Sequence, residues 1–168
     1  MPLNLIKKYN TLLDLIAYNE YQRERSLKAI FDRDIVNNDN FKFNGKYIQP
    51  TPSNGEIKMS ILFTHLTTVT VDPKTRKRDF DIHRSVRLHW IRHHIECKEK
   101  NNVLHFSVDE PNGKRTYIYD KNENYVIILE PLRNKNEYYL LTAYYLRGKD
   151  AKRNSILKKY KRKLNELL

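Results

Sequence analysis

The stretch VLHFSVDEPNGKRTYIYDKNENYVIILEPLRNKNEYYLLTAYYL, Val103–Leu146, decides the fold. Its β-branched and aromatic runs fall at Val103–Val108, Arg115–Tyr119, Tyr125–Leu132 and Tyr138–Leu146, with Pro111-Asn112-Gly113 and Asn134–Asn136 among the breaks. Such runs, recurring about every ten residues between turn-forming residues, predict consecutive antiparallel strands.

Upstream lies KRDFDIHRSVRLHWIRHHIEC, Lys77–Cys97, which holds four arginines, four of the six histidines and the only tryptophan. Asp81 suits a helix N-cap. A helix from Asp81 to Cys97, turning about 100° per residue, gathers His83, Arg87, Trp90 and His94 in one sector and Arg84, Leu88, Ile91 and Ile95 in a second stripe. Before it, Asp72–Asp79 reads as a polar, basic loop. Ile57–Val71, rich in β-branched residues and containing His65, reads as a long strand. Phe41–Gln49 alternates apolar with polar residues around Asn44-Gly45, a hairpin signal.

At the N-terminus Leu3, Leu5, Ile6, Leu12, Leu13, Leu15 and Ile16, then Leu27, Ile30 and Phe31, recur near the helical period, predicting one bent helix or two over residues 2–33. Downstream of the strands a basic helix is expected from about Asp150, with Ile156, Leu157, Tyr160 and Leu164 turned inward. The sum is a single α+β domain over residues 1–168: a helical part at 1–36, then a body at 41–168. That body is a mostly antiparallel twisted sheet with one inserted helix and a basic C-terminal helix.

A chain of 168 residues and 20.3 kDa can bury a core without staples, and the lone Cys97 can form no internal disulfide. Lys7 and Lys8 interrupt the only short apolar run near the start, no stretch approaches the roughly 20 apolar residues of a membrane span, and mean hydropathy is -0.79. These features predict a cytoplasmic protein. Lys and Arg number 32 against 20 Asp and Glu, a formal charge of +12 and a pI of about 9.7. That excess favours a polyanionic partner, nucleic acid first, although a lysine- and tyrosine-rich composition alone also produces it.

His89 and His93, or His93 and Cys97, stand four apart, as zinc ligands on a helix can. No glutamate sits between the histidines and no second ligand pair is apparent, so no metal and no cofactor is expected. Carboxylates paired for two-metal phosphoryl chemistry are not evident either. What the chain offers is the kit of a metal-free ribonuclease: a histidine that can exchange a proton near neutrality, and fixed arginines for developing phosphorane charge. His65 precedes Thr67 and Thr68; Arg84 and Arg87 are each flanked by residues expected to be buried; Thr142 and Tyr144 share one face of the last strand. Those five are the candidate catalytic residues. Arg78, His83, Trp90, Arg92, Arg147 and Lys149 are candidate nucleic-acid contacts, cations and rings suited to phosphate and base. The same central run also reads as plain core at Trp90, Ile91 and Ile95 with cations reaching outward.

HLTT at His65–Thr68, FDIHRSVRLHWIRHHI at Phe80–Ile95, VIILEP at Val126–Pro131 and YYLLTAYYL at Tyr138–Leu146 resemble the phage-associated branch of the barnase, EndoU, colicin and RelE-like nuclease superfamily, over about Ile57–Leu168. The resemblance implies helices preceding an antiparallel sheet and metal-independent RNA cleavage. His65 would act as base or acid, Arg84 and Arg87 would hold phosphate, and Thr142 and Tyr144 would position it. Prolines near the positions of His89 and His93 in that branch imply a helix stopping near Leu88. The implied partner is nucleic acid, RNA ahead of DNA, with a cognate inhibitor protein and the oligomeric state left open. The alternatives are a non-catalytic nucleic-acid-binding module, or a mobile-element interaction protein whose basic helix docks on an acidic partner.

Overall fold

A computed structural model describes residues 2–52, 54–55, 58–97, 101–149 and 154–168. In chain order the elements begin with α1 (Pro2–Leu5) and α2 (Glu20–Phe31), the latter running into a π-helical turn, Asp32–Val36. A hairpin follows, β1 (Lys42–Phe43) and β2 (Lys46–Pro50), then α3 (Met59–Thr67), β3 (Thr68–Asp72), β4 (Lys77–Phe80), α4 (Ile82–Ser85) and α5 (Trp90–Glu96). The chain continues through β5 (Val103–Glu110), β6 (Gly113–Asp120), β7 (Tyr125–Pro131), β8 (Glu137–Tyr145) and α6 (Ser155–Lys161). Six strands form one sheet in the order β1-β2-β8-β7-β6-β5; β3 and β4 pair apart from it. Every neighbouring pair is antiparallel except β2 with β8. The α+β class is therefore as the sequence predicts, and the four C-terminal strands lie where their patterning puts them.

The sheet is covered on both faces, which is why YVIIL in β7 is apolar without alternation. Tyr125, Ile127 and Leu129 join the cluster formed with Leu27, Leu66, Trp90 and Ile91 from the helices. Val126 faces the other way, onto Phe106, Tyr117, Tyr119, Leu146 and Ile156 of α6. The Asn44-Gly45 hairpin forms as expected, with both residues left-handed (φ 52° and 76°), the signature of a type I′ turn.

Five local expectations are corrected. Helix does not fill residues 2–33: α1 ends at Leu5, and α2 begins only after Asn19, whose side chain and that of Gln22 form a capping box. In between, Leu13 and Leu15 are buried while Leu12 and Ile16 are 45% and 91% exposed, an alternation of period two that helical spacing obscures. The long strand expected at Ile57–Val71 is instead α3 followed by β3, with Ile57 outside the described residues. Leu62 and Leu66, four apart, carry α3's buried face, and the hydroxyls of Thr64, Thr67 and Thr68 bond back to the carbonyls of Ser60, Phe63 and Thr64. These hydroxyls thus bond back within the helix, and only Thr68 goes on to open the β3 ladder.

The basic loop expected at Asp72–Asp79 is the β3–β4 hairpin. The helix expected from Asp81 to Cys97 is broken into α4 and α5 by tight turns from Val86 to His89, close to the stop implied at Leu88. Asp81 does cap it, Oδ1 accepting from the Arg84 N–H at 3.0 Å. The C-terminal helix is shorter than expected, its described part running Ser155–Lys161 with Leu164 beyond it; residues 150–153 lie outside the described residues. Among the described residues no helix is long and apolar enough to cross a membrane.

Candidate nucleic-acid site

The site is built where β8 loses a neighbour. β2 pairs with β8 only as far as Pro50↔Leu140. At the next residue, Leu141, the register with β7 slips, passing from Leu140↔Leu129 to Thr142↔Ile128. A bulge there re-aims the side chains that follow. The edge of β8 that β2 vacates is approached by α3 and α4, which bring His65 and Arg84 to Thr142.

Arg84 Nη1 donates to the His65 carbonyl at 3.0 Å and to Thr142 Oγ1 at 3.3 Å. The His65 carbonyl belongs to the last turn of α3, where carbonyls lack helical partners and attract cations. Arg78 serves the same helix end: Nε donates to Thr68 Oγ1 at 2.7 Å, Nη2 to the Thr68 carbonyl at 2.7 Å and to the His65 carbonyl at 3.5 Å. Two guanidinium groups therefore flank His65. Burial, followed by the charges of Arg78 and Arg84, holds its imidazole below the usual histidine range, so it is neutral at physiological pH. His65 lines a cleft of about 370 Å³ with Thr51, Pro52, Ile61, Leu62, Leu140 and Leu141. Burial lowers the affinity of Arg84 for its proton, Asp81 opposes that and Arg78 reinforces it; the guanidinium remains charged. Tyr144 completes the group, its ring centroid 5.7 Å from Arg84 Cζ.

Arg84 thus meets Thr142, Tyr144 and the His65 main chain, and Arg78, expected only as a nucleic-acid contact, reaches the same His65 carbonyl. Arg87 does not. Its guanidinium lies 3.8 Å from the centroid of Tyr145 and 5.3 Å from that of Trp90, and Nη1 donates to the His83 carbonyl at 2.7 Å. At 8% exposure with Nε buried and unpaired, Arg87 supports the wall formed by Tyr145 and His83, whose rings stack at 6.5 Å. Tyr125, wholly buried beneath both arginines, joins the two groups; burial raises its pKa and Arg84 and Arg87 pull it back. Tyr125 and Tyr145 escaped the sequence reading. Tyr145 stands next to the chosen Tyr144, and only the bulge and sheet parity determine which of the pair faces Arg87.

Trp90 is corrected. It is 2% exposed, its Nε1–H donates to the Thr11 carbonyl at 3.1 Å, and Tyr9 and Tyr125 pack edge-on against it, so no base can stack on it. The core reading of Trp90, Ile91 and Ile95 holds. Arg92 is also spent elsewhere, paired with Glu96 at 3.0 Å and Asp34 at 3.5 Å. Arg147 and Lys149 are exposed just past β8, and the Arg147 charge is felt by Arg87.

A second polar group lies deep under α5. His94 Nε2 donates to Asp120 Oδ2 at 2.9 Å, its Nδ1 lies 2.8 Å from the Trp90 carbonyl, and the Tyr9 hydroxyl donates to the same Asp120 oxygen at 2.5 Å. Asp120 Oδ1 accepts from the backbone of Asn122 and Glu123 at 3.0 and 3.1 Å. Burial alone would raise the Asp120 pKa, but these donors hold it at about 2. With all four donors converging on one carboxylate, the group is a fastening between the N-terminal segment, α5 and β6. Among the described residues no three His, Cys, Asp or Glu are grouped to hold a metal ion. No family model, no curated protein and no solved structure matches the chain.

Proposed function

We propose that this chain is a metal-independent endoribonuclease of the barnase, EndoU, colicin and RelE-like type, associated with a phage or mobile element and acting on RNA in the cytoplasm. The observation that carries the reading is Arg84 Nη1 bridging the His65 carbonyl and the Thr142 hydroxyl, beside an imidazole kept neutral by burial and two cations.

A neutral His65 can take the 2′-OH proton as that oxygen bonds to phosphorus and the bond from phosphorus to the 5′-oxygen breaks, the leaving oxygen taking its proton from water. The products are a 2′,3′-cyclic phosphate and a 5′-hydroxyl. Arg84 and Arg78 supply positive charge where the phosphorane gains negative charge, and the Thr142 hydroxyl, accepting from Arg84, keeps its own proton for a phosphate oxygen. The cleft beside His65 has the size and apolar walls to receive an unstacked base. Arg87 enters this scheme as a positioning residue behind Tyr145, not as a phosphate ligand.

The test is cleavage of mixed RNA in EDTA with analysis of the new ends. Wild type should leave 2′,3′-cyclic phosphate and 5′-hydroxyl ends, and His65→Ala, with an unchanged circular dichroism spectrum, should lose the activity. Tight, salt-sensitive RNA binding without cleavage would instead assign the chain to non-catalytic nucleic-acid-binding modules.

A further inference from the structure

The β3–β4 ribbon takes no part in the main sheet. It springs from the two helices that carry the site: α3 ends at Thr67 where β3 begins, and β4 ends at Phe80, next to the Asp81 cap of α4. Its root is clamped, because the Thr67 carbonyl accepts both the Asp81 N–H at 2.9 Å and the Ser85 hydroxyl at 3.1 Å. Arg78 stiffens it lengthwise, reaching from Thr68 to Thr70 Oγ1 at 2.9 Å. The turn is ordered as well: Asp72 Oδ1 accepts the Lys74 N–H at 2.9 Å, and Arg76 adopts a left-handed φ of 58°.

The tip exposes three cations, Lys74, Arg76 and Lys77. The acids nearby are Asp72, occupied by the turn it caps, and exposed Asp79. A solvated charge run needs no such scaffold. A rigid root matters when the tip must meet a ligand, since ordering it costs little at binding.

We propose that the β3–β4 ribbon is an RNA-binding arm whose Lys74, Arg76 and Lys77 hold the phosphate backbone some nucleotides away from the phosphate bound at Arg84; the assignment of RNA rests on the function proposed above. Five strand residues at roughly 3.3 Å each reach about 16 Å. A stacked strand carries one phosphate per roughly 3.4 Å, so the tip lies about four or five nucleotides from the scissile position.

The test compares wild type with Lys74→Ala/Arg76→Ala/Lys77→Ala by fluorescence anisotropy on a labelled single-stranded RNA of about 20 nucleotides and on a trinucleotide, across about 0.05–0.3 M salt. Each single-strand phosphate contact contributes about 0.7 to the slope of log affinity against log salt, so the variant's slope on the long RNA should fall by about 2 and its affinity by roughly 10- to 100-fold at about 0.1 M salt. The trinucleotide, too short to reach the tip, should bind both proteins alike. An unchanged slope on the long RNA overturns the arm, as does an equal loss on the trinucleotide, which would mark a mere change in net charge. Loss of poly-glutamate binding with the RNA slope intact overturns it in favour of an acidic protein partner. A wild type that binds with the expected slope but cleaves nothing keeps the arm and removes the nuclease; cleavage with equal slopes does the reverse.

Discussion

Arg84 Nη1 donates to Thr142 Oγ1 at 3.3 Å across 58 residues of sequence, and the same nitrogen holds the His65 carbonyl at 3.0 Å. One guanidinium therefore ties the last turn of α3, at the His65 carbonyl, to the edge of β8. Arg84→Ala should lower kcat/KM for RNA by about 10²–10³, the range for removal of a fixed donor from a developing oxyanion. Arg84→Lys should recover little, because an ammonium cannot reproduce the fork. Thr142→Val should cost less, and its effect should not add to that of Arg84→Ala, since once the guanidinium is gone the hydroxyl has lost its partner. Single-turnover cleavage of the two single variants and the double variant checks this; strict additivity would mean that the two residues act independently.

His65 should give the cleavage rate an acid limb. Its pKa lies below the ordinary 6.5, so the imidazole becomes a base as pH rises through that lowered value and the rate should already be level at neutrality. Arg78 and Arg84 both disfavour the imidazolium, hence removing one cation raises the pKa and moves the limb to higher pH. Arg78→Gln should show that displacement in a pH profile of kcat/KM, whereas a purely structural loss would lower the plateau and leave the limb in place. The sign would reverse if His65 acted as the acid, because activity would then fall as pH rose through the same value.

Trp90 provides a readout of the corrected geometry. Being 2% exposed and hydrogen-bonded to Thr11, the sole tryptophan should emit at short wavelength, resist quenching by acrylamide, and change little when RNA saturates the protein. Substituting Tyr145 by Phe preserves the ring under Arg87 and should leave stability near wild type, while Tyr145→Ala strips the face from a buried cation and should cost upward of about 1 kcal/mol in urea unfolding. Strong quenching of Trp90 by RNA would restore it as a stacking platform.

The C-terminal strands were legible because β-branched and aromatic runs punctuated by turn residues are local signals. The residues of the site were legible one by one, His65 beside threonines and Arg84 among residues expected to be buried, but their geometry was not. Threonines that raise strand propensity in FTHLTT bond to carbonyls four residues back and end a helix instead. Arg84 and Arg87 stand three apart, the spacing of helix neighbours, yet α4 stops at Ser85 and the turn sends Arg87 toward Tyr145. That outcome depends on Trp90 entering the core and on where β2 leaves β8, both long-range facts. The ribbon was hidden for a related reason: its strands have only each other, so a basic turn dominates the pattern.

The Asp120 fastening lies away from the proposed chemistry, and so separates stability from activity. Its folded pKa of about 2 lies below the ordinary 3.8. A depressed carboxylate contributes fully above the unfolded value, and that contribution disappears as pH falls from about 3.8 toward about 2. The difference corresponds to about 2 kcal/mol at neutral pH. Asp120→Asn should therefore be less stable than wild type by about that amount in urea unfolding at pH 7, with the gap closing in acid as the wild-type carboxyl gains its proton. Tyr9→Phe removes one of the four donors and should cost less, about 1 kcal/mol. If instead the Asp120→Asn gap persisted unchanged at the acid end, packing around His94 rather than the carboxylate's charge would be what fastens the N-terminal segment to β6.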